Sequence, residues 1–203
     1  MSPLTVFLRA LSKSSAVCLG VALAVVQPPF EIGPSRQATA QQSPSEAAVD
    51  GLAAALSDTD PGVRRQAAAA LARLRSPRAV PALVGATKDD QPDVRLHAIH
   101  ALRQIGDPQG LPAITAALAD PDARVRGGAA IALGEMGDRT AVELLVPLAR
   151  DSEVQVRRQA LHALARIGDP RALPAATAAL KDEDAGVRRA AVHALAALTD
   201  QER

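Results

Sequence analysis

Residues 168–195 read GDPRALPAATAALKDEDAGVRRAAVHAL, and their frame recurs through most of the chain. The anchor is the dipeptide Val187-Arg188. The same pair stands at Val63-Arg64, Val94-Arg95, Val125-Arg126 and Val156-Arg157, each step being 31 residues. Six positions before each arginine is an aspartate: Asp58, Asp89, Asp120, Asp151 and Asp182. Seven positions after it is a leucine: Leu71, Leu102, Leu133, Leu164 and Leu195. Five copies in one register define an internal repeat, and a fixed period of this length is the signature of a stacked array.

Each copy predicts two helices. In the first copy Val63, Ala67, Ala70, Leu71 and Leu74 fall on one apolar stripe of 3.6-residue period. Asp60-Pro61 supplies the start, aspartate as N-cap and proline at the first helical position. The preceding helix carries a shorter stripe, such as Val80, Leu83 and Val84 or Val142, Leu145 and Val146. Gly106-Asp107-Pro108 and Gly168-Asp169-Pro170 punctuate the joins: glycine ends one helix, and aspartate and proline start the next. Pro81, Pro112 and Pro174 are expected in first turns. A helix pair this short cannot bury its stripe alone, so the pairs must stack into an all-α solenoid of five repeats over residues 47–203. Alanine dominates the stripes, so the helices are expected to approach closely.

The unit Gly-Asp-Pro-Arg-Ala-Leu-Pro, followed by Leu-Lys-Asp-Glu-Asp and Val-Arg-Arg-Ala-Ala, resembles a HEAT-like repeat. It is similar to the short bacterial kind also found in phycobilin lyase subunits. The resemblance implies a protein-binding solenoid whose second helices line a concave face. It also implies a ladder of hydrogen bonds between repeats, made by Asp58, Asp89, Asp120, Asp151 and Asp182 with Arg64, Arg95, Arg126, Arg157 and Arg188. On that view Asp182 is the terminal rung and is worth less than Asp120. Fold and activity separate, so the likeness specifies architecture more than function.

Residues 1–40 differ. Arg9 and Lys13 precede an apolar run, Ala16 to Val26, and Ala38-Thr39-Ala40 follows. That order is expected for a secretory signal peptide cleaved after Ala40. The run is too short to span a bilayer. The protein is then expected to be exported, to periplasm or medium, with residues 41–46 as a disordered lead-in. The lone Cys18 lies in the removed segment and builds neither a disulfide framework nor a metal site.

Composition excludes several function classes. The chain of 203 residues has 23 basic and 22 acidic residues, a formal net charge of +1, which argues against a general nucleic-acid binder. The only aromatics, Phe7 and Phe30, lie outside the repeats, so stacking platforms and aromatic cages are absent from them. His97, His100, His162 and His193 lack converging partner ligands, so no metal site and no cofactor are expected. Deoxyhypusine hydroxylase, an enzyme of this fold, uses repeated His-Glu pairs around iron; no such dipeptide exists here, and no enzyme activity is expected. Gly127-Gly128 lies inside a helix at a cost of about 1–2 kcal/mol, which reads either as drift or as room for a partner's backbone.

The five copies serve as an internal alignment. The positions of Gly62, Arg65, Gln66, Ala69 and Arg73 vary between copies and share one helix face. That face carries Arg65, Arg73, His97, His100, Arg124 and Ile131, then Arg158, His162, Arg166, Arg189 and His193. Its only acids are Asp93 and Glu135. The expected partner is therefore a protein or acidic peptide held by a non-catalytic scaffold. The alternative is a lyase or chaperone-like subunit acting on a cofactor-bearing protein.

Overall fold

The computed structural model describes residues 44–200. The expected signal peptide lies outside the described residues. The first repeat is α1 (Pro44–Ala55) and α2 (Pro61–Leu74); the second is α3 (Val80–Ala86) and α4 (Pro92–Ile105). The third is α5 (Leu111–Ala116) and α6 (Ala123–Met136), the fourth α7 (Val142–Leu148) and α8 (Val154–Ile167), and the fifth α9 (Leu173–Ala179) and α10 (Ala185–Asp200). A single 3-10 turn leads into each of α3, α5, α7 and α9. α1 begins at Pro44, inside the segment expected to be disordered. Proline needs no N–H partner in a first turn, and Glu46 there complements the positive helix end.

Local chemistry sets the boundaries. The Asp60 carboxylate accepts the Gly62 N–H at 2.6 Å ahead of Pro61, as the sequence predicts. Asp107 and Asp169 cap the 3-10 turns that feed α5 and α9 rather than those helices directly. Gly106, Gly137 and Gly168 end α4, α6 and α8 at φ of 72°, 68° and 67°, a conformation only glycine adopts without strain. Arg75 holds the same place after α2 at φ 49°, which costs about 1–2 kcal/mol.

The second helices form the spine: α2 packs on α4, α4 on α6, α6 on α8 and α8 on α10. The first helix of each repeat leans on its own second helix. Ile99, Leu102, Leu133, Leu161 and Leu164 meet Leu83, Ile114 and Leu145 in one continuous core. Each fully buried Leu or Ile contributes about 1.5–3 kcal/mol. Val63 and Leu74, expected in this core, are 39% and 44% exposed. They belong to the first repeat, and among the described residues no earlier repeat covers them.

Candidate functional site

Two tracks of arginine run along the second helices. The first follows the turns between helices. Arg64 donates from Nε and Nη2 to the Asp89 carboxylate at 2.6 and 2.8 Å. Arg95 reaches Asp120 at 2.7 and 2.7 Å, and Arg126 reaches Asp151 at 2.8 and 2.8 Å. Arg157 lies 2.8 Å by Nε and 2.9 Å by Nη2 from Asp182. Each arginine thus bonds the aspartate of the following repeat, 25 residues on. Its Nη1 donates instead to the carbonyl oxygen of its own repeat's aspartate, at 2.9 Å for Arg126 and Asp120. Every aspartate also accepts the backbone N–H two residues later, as Asp120 does from Asp122 at 2.9 Å. One arginine therefore ties two turns, and one aspartate both shapes its turn and receives its neighbour.

This geometry assigns each rung its pair and revises one expectation. The partner of Asp120 is Arg95, whereas Arg126 belongs to Asp151. Asp182 is a full rung, because Arg157 fills it; among the described residues the unfilled ends are Asp58 and Arg188. The ladder side chains are mostly covered, Arg95 and Asp120 being 11% and 8% exposed. The Arg64 fork outweighs burial and holds the Asp89 carboxyl at about 2. Burial pushes Asp151 up, yet the bonds from Arg126 and the Glu153 N–H leave it below its ordinary value. Arg157 lowers Asp182.

The second track is the variable face. Arg65, Arg73, His100, Arg124, Arg166, Arg189, His162 and His193 are exposed there, and Ile131 and Arg158 are half-buried. Its two acids are already engaged. Asp93 accepts from Arg124 Nη1 at 2.8 Å, and Arg124 also pairs with Asp122 at 3.0 Å. Glu135 pairs with Arg103, whose Nη2 donates to His100 Nδ1 at 3.1 Å. Arg124, expected to offer unmatched charge, is therefore neutralised within the chain. Arg103 was not read as part of this face; its 32-residue offset from Glu135 falls one residue off the period. Arg65, Arg73, Arg158, Arg166 and Arg189 have no carboxylate partner among the described residues. Arg158 Nη2 donates to Gln155 Oε1 at 2.5 Å.

His162 and His193 sit in adjacent repeats with ring centroids 6.0 Å apart, tilted by 58°. Burial first, then His193 and Arg158, lowers the His162 pKa; burial and the Arg103 charge lower that of His100. His97 Nδ1 donates to the Asp93 carbonyl at 2.7 Å. Two open grooves meet at Ile131. One, about 410 Å³, is lined by Leu96, His100, Arg124, Gly128 and Gln159; the other, about 380 Å³, by Glu135, His162, Ala163 and Arg166.

The glycines are used internally. A Cβ on Gly127 would fall 1.7 Å from Gln159 Oε1, and one on Gly128 2.4 Å from Leu96 Cδ1. The ends of two flexible side chains from neighbouring repeats occupy that room, so the space beside the pair is filled from within the chain. Gly134, which drew no attention in the sequence, is the less forgiving site: its Cβ would meet backbone, Ala163 Cα at 2.6 Å, where α6 and α8 press together. Two outer pairs also went unread, Arg78 with Asp50 at 2.6 Å and Arg171 with Glu143 at 3.1 Å. Each follows a 28-residue offset, which an alignment on the Val-Arg frame does not display.

A sequence profile of the HEAT repeats family matches residues 37–95, 85–161 and 147–203. Among solved structures, the complex of CpcE and CpcF of phycocyanin lyase from Nostoc sp. PCC7120 superimposes with a TM-score of 0.67 at 29% identity. That match covers 85% of this chain and 71% of the other. An engineered protein, structural genomics target OR329, matches with a TM-score of 0.58 at 25% identity, covering 76% and 81% of the two chains. A designed armadillo repeat protein in complex with a (KR)4 peptide matches with a TM-score of 0.62 at 22% identity, covering 75% and 82%, a likeness of fold. No curated protein sequence matches the chain.

Proposed function

The chain belongs to the HEAT-repeat family, and on that premise we propose that it is an exported, non-catalytic scaffold that holds an acidic segment of a partner protein on its second-helix face. One observation carries this. Within α8 and α10, Arg158, Arg166 and Arg189 stand beside His162 and His193 with no carboxylate to answer them among the described residues. On the turn edge, by contrast, Arg64, Arg95, Arg126 and Arg157 are each answered by an aspartate of the chain. Guanidinium forks on adjacent repeats suit two carboxylates of one extended ligand. The charge order of residues 1–40 supports export.

The test uses a labelled octaglutamate peptide and fluorescence anisotropy at 50 and 300 mM salt. Binding is expected to weaken with salt, because exposed charges are screened. Arg158→Glu with Arg189→Glu is expected to abolish it while helicity stays unchanged. Equal binding by the doubly reversed chain, or none by the native chain, sinks the proposal. Mass spectrometry of secreted protein starting at Gln41 tests export; residues 1–40 still attached to a cytoplasmic chain would refute it.

The likeness to the CpcE–CpcF complex favours a second role, as a subunit acting on a cofactor-bearing protein. A coloured covalent adduct formed on a partner, rather than stoichiometric colourless capture, would select it.

A further inference from the structure

We propose that the two ends of the repeat stack are complementary, and that copies of this chain associate head to tail by continuing the stack. The inference does not rest on the proposed function. It begins with residues of interior type at the ends. Val63 is 39% exposed, whereas Val94, Val125, Val156 and Val187 at the same repeat position are at most 1% exposed. Val187 is buried in the last repeat and Val63 is not in the first, so this position faces the preceding repeat. Val192 is 59% exposed, whereas Ala68, Ile99, Ala130 and Leu161 at its position are all 0%. Ala68 is buried in the first repeat, so this position faces the following one. Leu180, 37% exposed, repeats the pattern against Leu118 at 5%.

A solenoid end that must meet water exchanges such residues for polar ones. Neither end has done so at the positions of Val63, Leu180 and Val192. At the first end Leu52, Ala55, Val63, Ala67 and Ala70 line an open groove of about 440 Å³.

The ladder supplies the charge complementarity. Arg188 Nη1 donates to the carbonyls of Asp182 and Glu183 at 2.7 and 2.8 Å, as every interior ladder arginine does within its own turn. Its Nε and Nη2 have no partner among the described residues. Asp58 gives Oδ1 to the Asp60 N–H at 2.8 Å, as interior aspartates do, and receives no arginine among the described residues. A second copy stacked on α10 as one repeat stacks on the next would place its Asp58 against Arg188. The rung would repeat the bond of Arg126 to Asp151. Val192 and Leu180 would then cover Val63 and its groove. Such an interface joins two different surfaces, so it leaves a free end on each side and grows with concentration rather than stopping at a dimer.

Sedimentation velocity of the full chain over a concentration series decides the matter, with circular dichroism confirming that each variant is folded. The native chain is expected to form a growing series of species. Val192→Glu is expected to weaken association at least tenfold; the residue is exposed in the single chain, so the fold does not depend on it. Asp58→Arg and Arg188→Glu are each expected to weaken it about tenfold. An equimolar mixture of those two is expected to restore it, since the arginine introduced in one then faces the glutamate introduced in the other. A native chain that stays monomeric throughout overturns the proposal. So does association indifferent to all three substitutions, as contact through residues 1–40 would be, or a mixture that fails to recover.

Discussion

Arg124 and Arg126 are two residues apart on α6, and each crosses to an aspartate of a neighbouring repeat at 2.8 Å. Arg124 reaches back to Asp93, and the pair is 60% and 54% exposed. Arg126 reaches forward to Asp151, and that pair is 15% and 11% exposed. Arg126 also gives Nη1 to the carbonyls of Asp120 and Pro121. The distances are equal, so distance does not separate them. Burial and the additional backbone bonds do. In a covered pair the loss of one partner strands the other without water, whereas an exposed pair exchanges its partner for solvent. The repeat reflects that difference: the Arg126 position is arginine in all five copies, and the Arg124 position is glycine, aspartate, arginine, glutamine and glycine.

The largest effect is expected where a covered rung is cut in mid-stack. Asp120→Ala removes the carboxylate held by Arg95 and the acceptor for the Asp122 N–H. It should cost about 1–3 kcal/mol. For a chain of this size each kcal/mol lowers the melting temperature by about 2–4 °C. Circular dichroism must follow the melt, since the chain has no tryptophan or tyrosine. Asp182→Ala should cost nearly as much, because it too is a filled rung. If Asp182→Ala proves nearly silent, position along the stack outweighs the bond.

Acid offers a second way to cut the rungs. The folded Asp89 carboxyl titrates at about 2, below its ordinary 3.8, and Asp151 and Asp182 are lowered too. A depressed carboxyl contributes its full stability above the unfolded value and loses it as pH falls through the folded one. The melting temperature should therefore hold from pH 7 to about 4 and fall between pH 4 and about 2. In the Arg64→Ala variant the Asp89 share of that fall should vanish, flattening the curve. An unchanged acid slope in the variant would show that Arg64 does not set it.

The sequence carried the architecture because the period, the caps and the stripe repeat five times. It carried the members of the ladder for the same reason. It left open which arginine each aspartate receives: the six-residue spacing lies within one repeat, whereas Asp120 takes Arg95 and Arg126 goes to Asp151. Val63 and Leu74 were misplaced in the core because a stripe describes a repeat with neighbours on each side, and the first repeat has none behind it among the described residues. On the variable face, counting charges revealed the basic surplus but not that Asp93 and Glu135 were already taken. Gly134 was invisible because a glycine's role depends on what lies opposite, here the backbone of Ala163.

A smaller effect is expected at the open rung. Asp58 keeps its turn through the Asp60 N–H but receives no arginine among the described residues, and it is exposed. At a concentration where the chain is monomeric, Asp58→Ala should cost less than about 1 kcal/mol, well under the loss for Asp120→Ala. The difference between them measures the fork itself, because each substitution removes the same turn bond. Equal losses would assign the ladder's worth to the turns and nothing to the arginines.

The smallest effect should fall on the pair that opened the comparison. Arg124→Ala breaks two ion pairs, to Asp93 at 2.8 Å and to Asp122 at 3.0 Å. Yet Arg124 and Asp93 are each more than half exposed, and Asp122 keeps its cap bond to the residue 124 N–H whatever side chain stands there. Arg124 also lowers the Asp122 carboxyl, so its removal should raise that carboxyl toward the ordinary value. The stability change should be the smallest of the series and shrink further in high salt. Alanine also favours the helix over arginine by a small margin, offsetting part of the loss. Arg126→Ala, two residues away, should cost several times more and keep its cost in salt, because its partner is covered. A salt-sensitive Arg126 or a costly Arg124 would reverse the distinction, and with it the reason one position is fixed across the repeats and the other is free to vary.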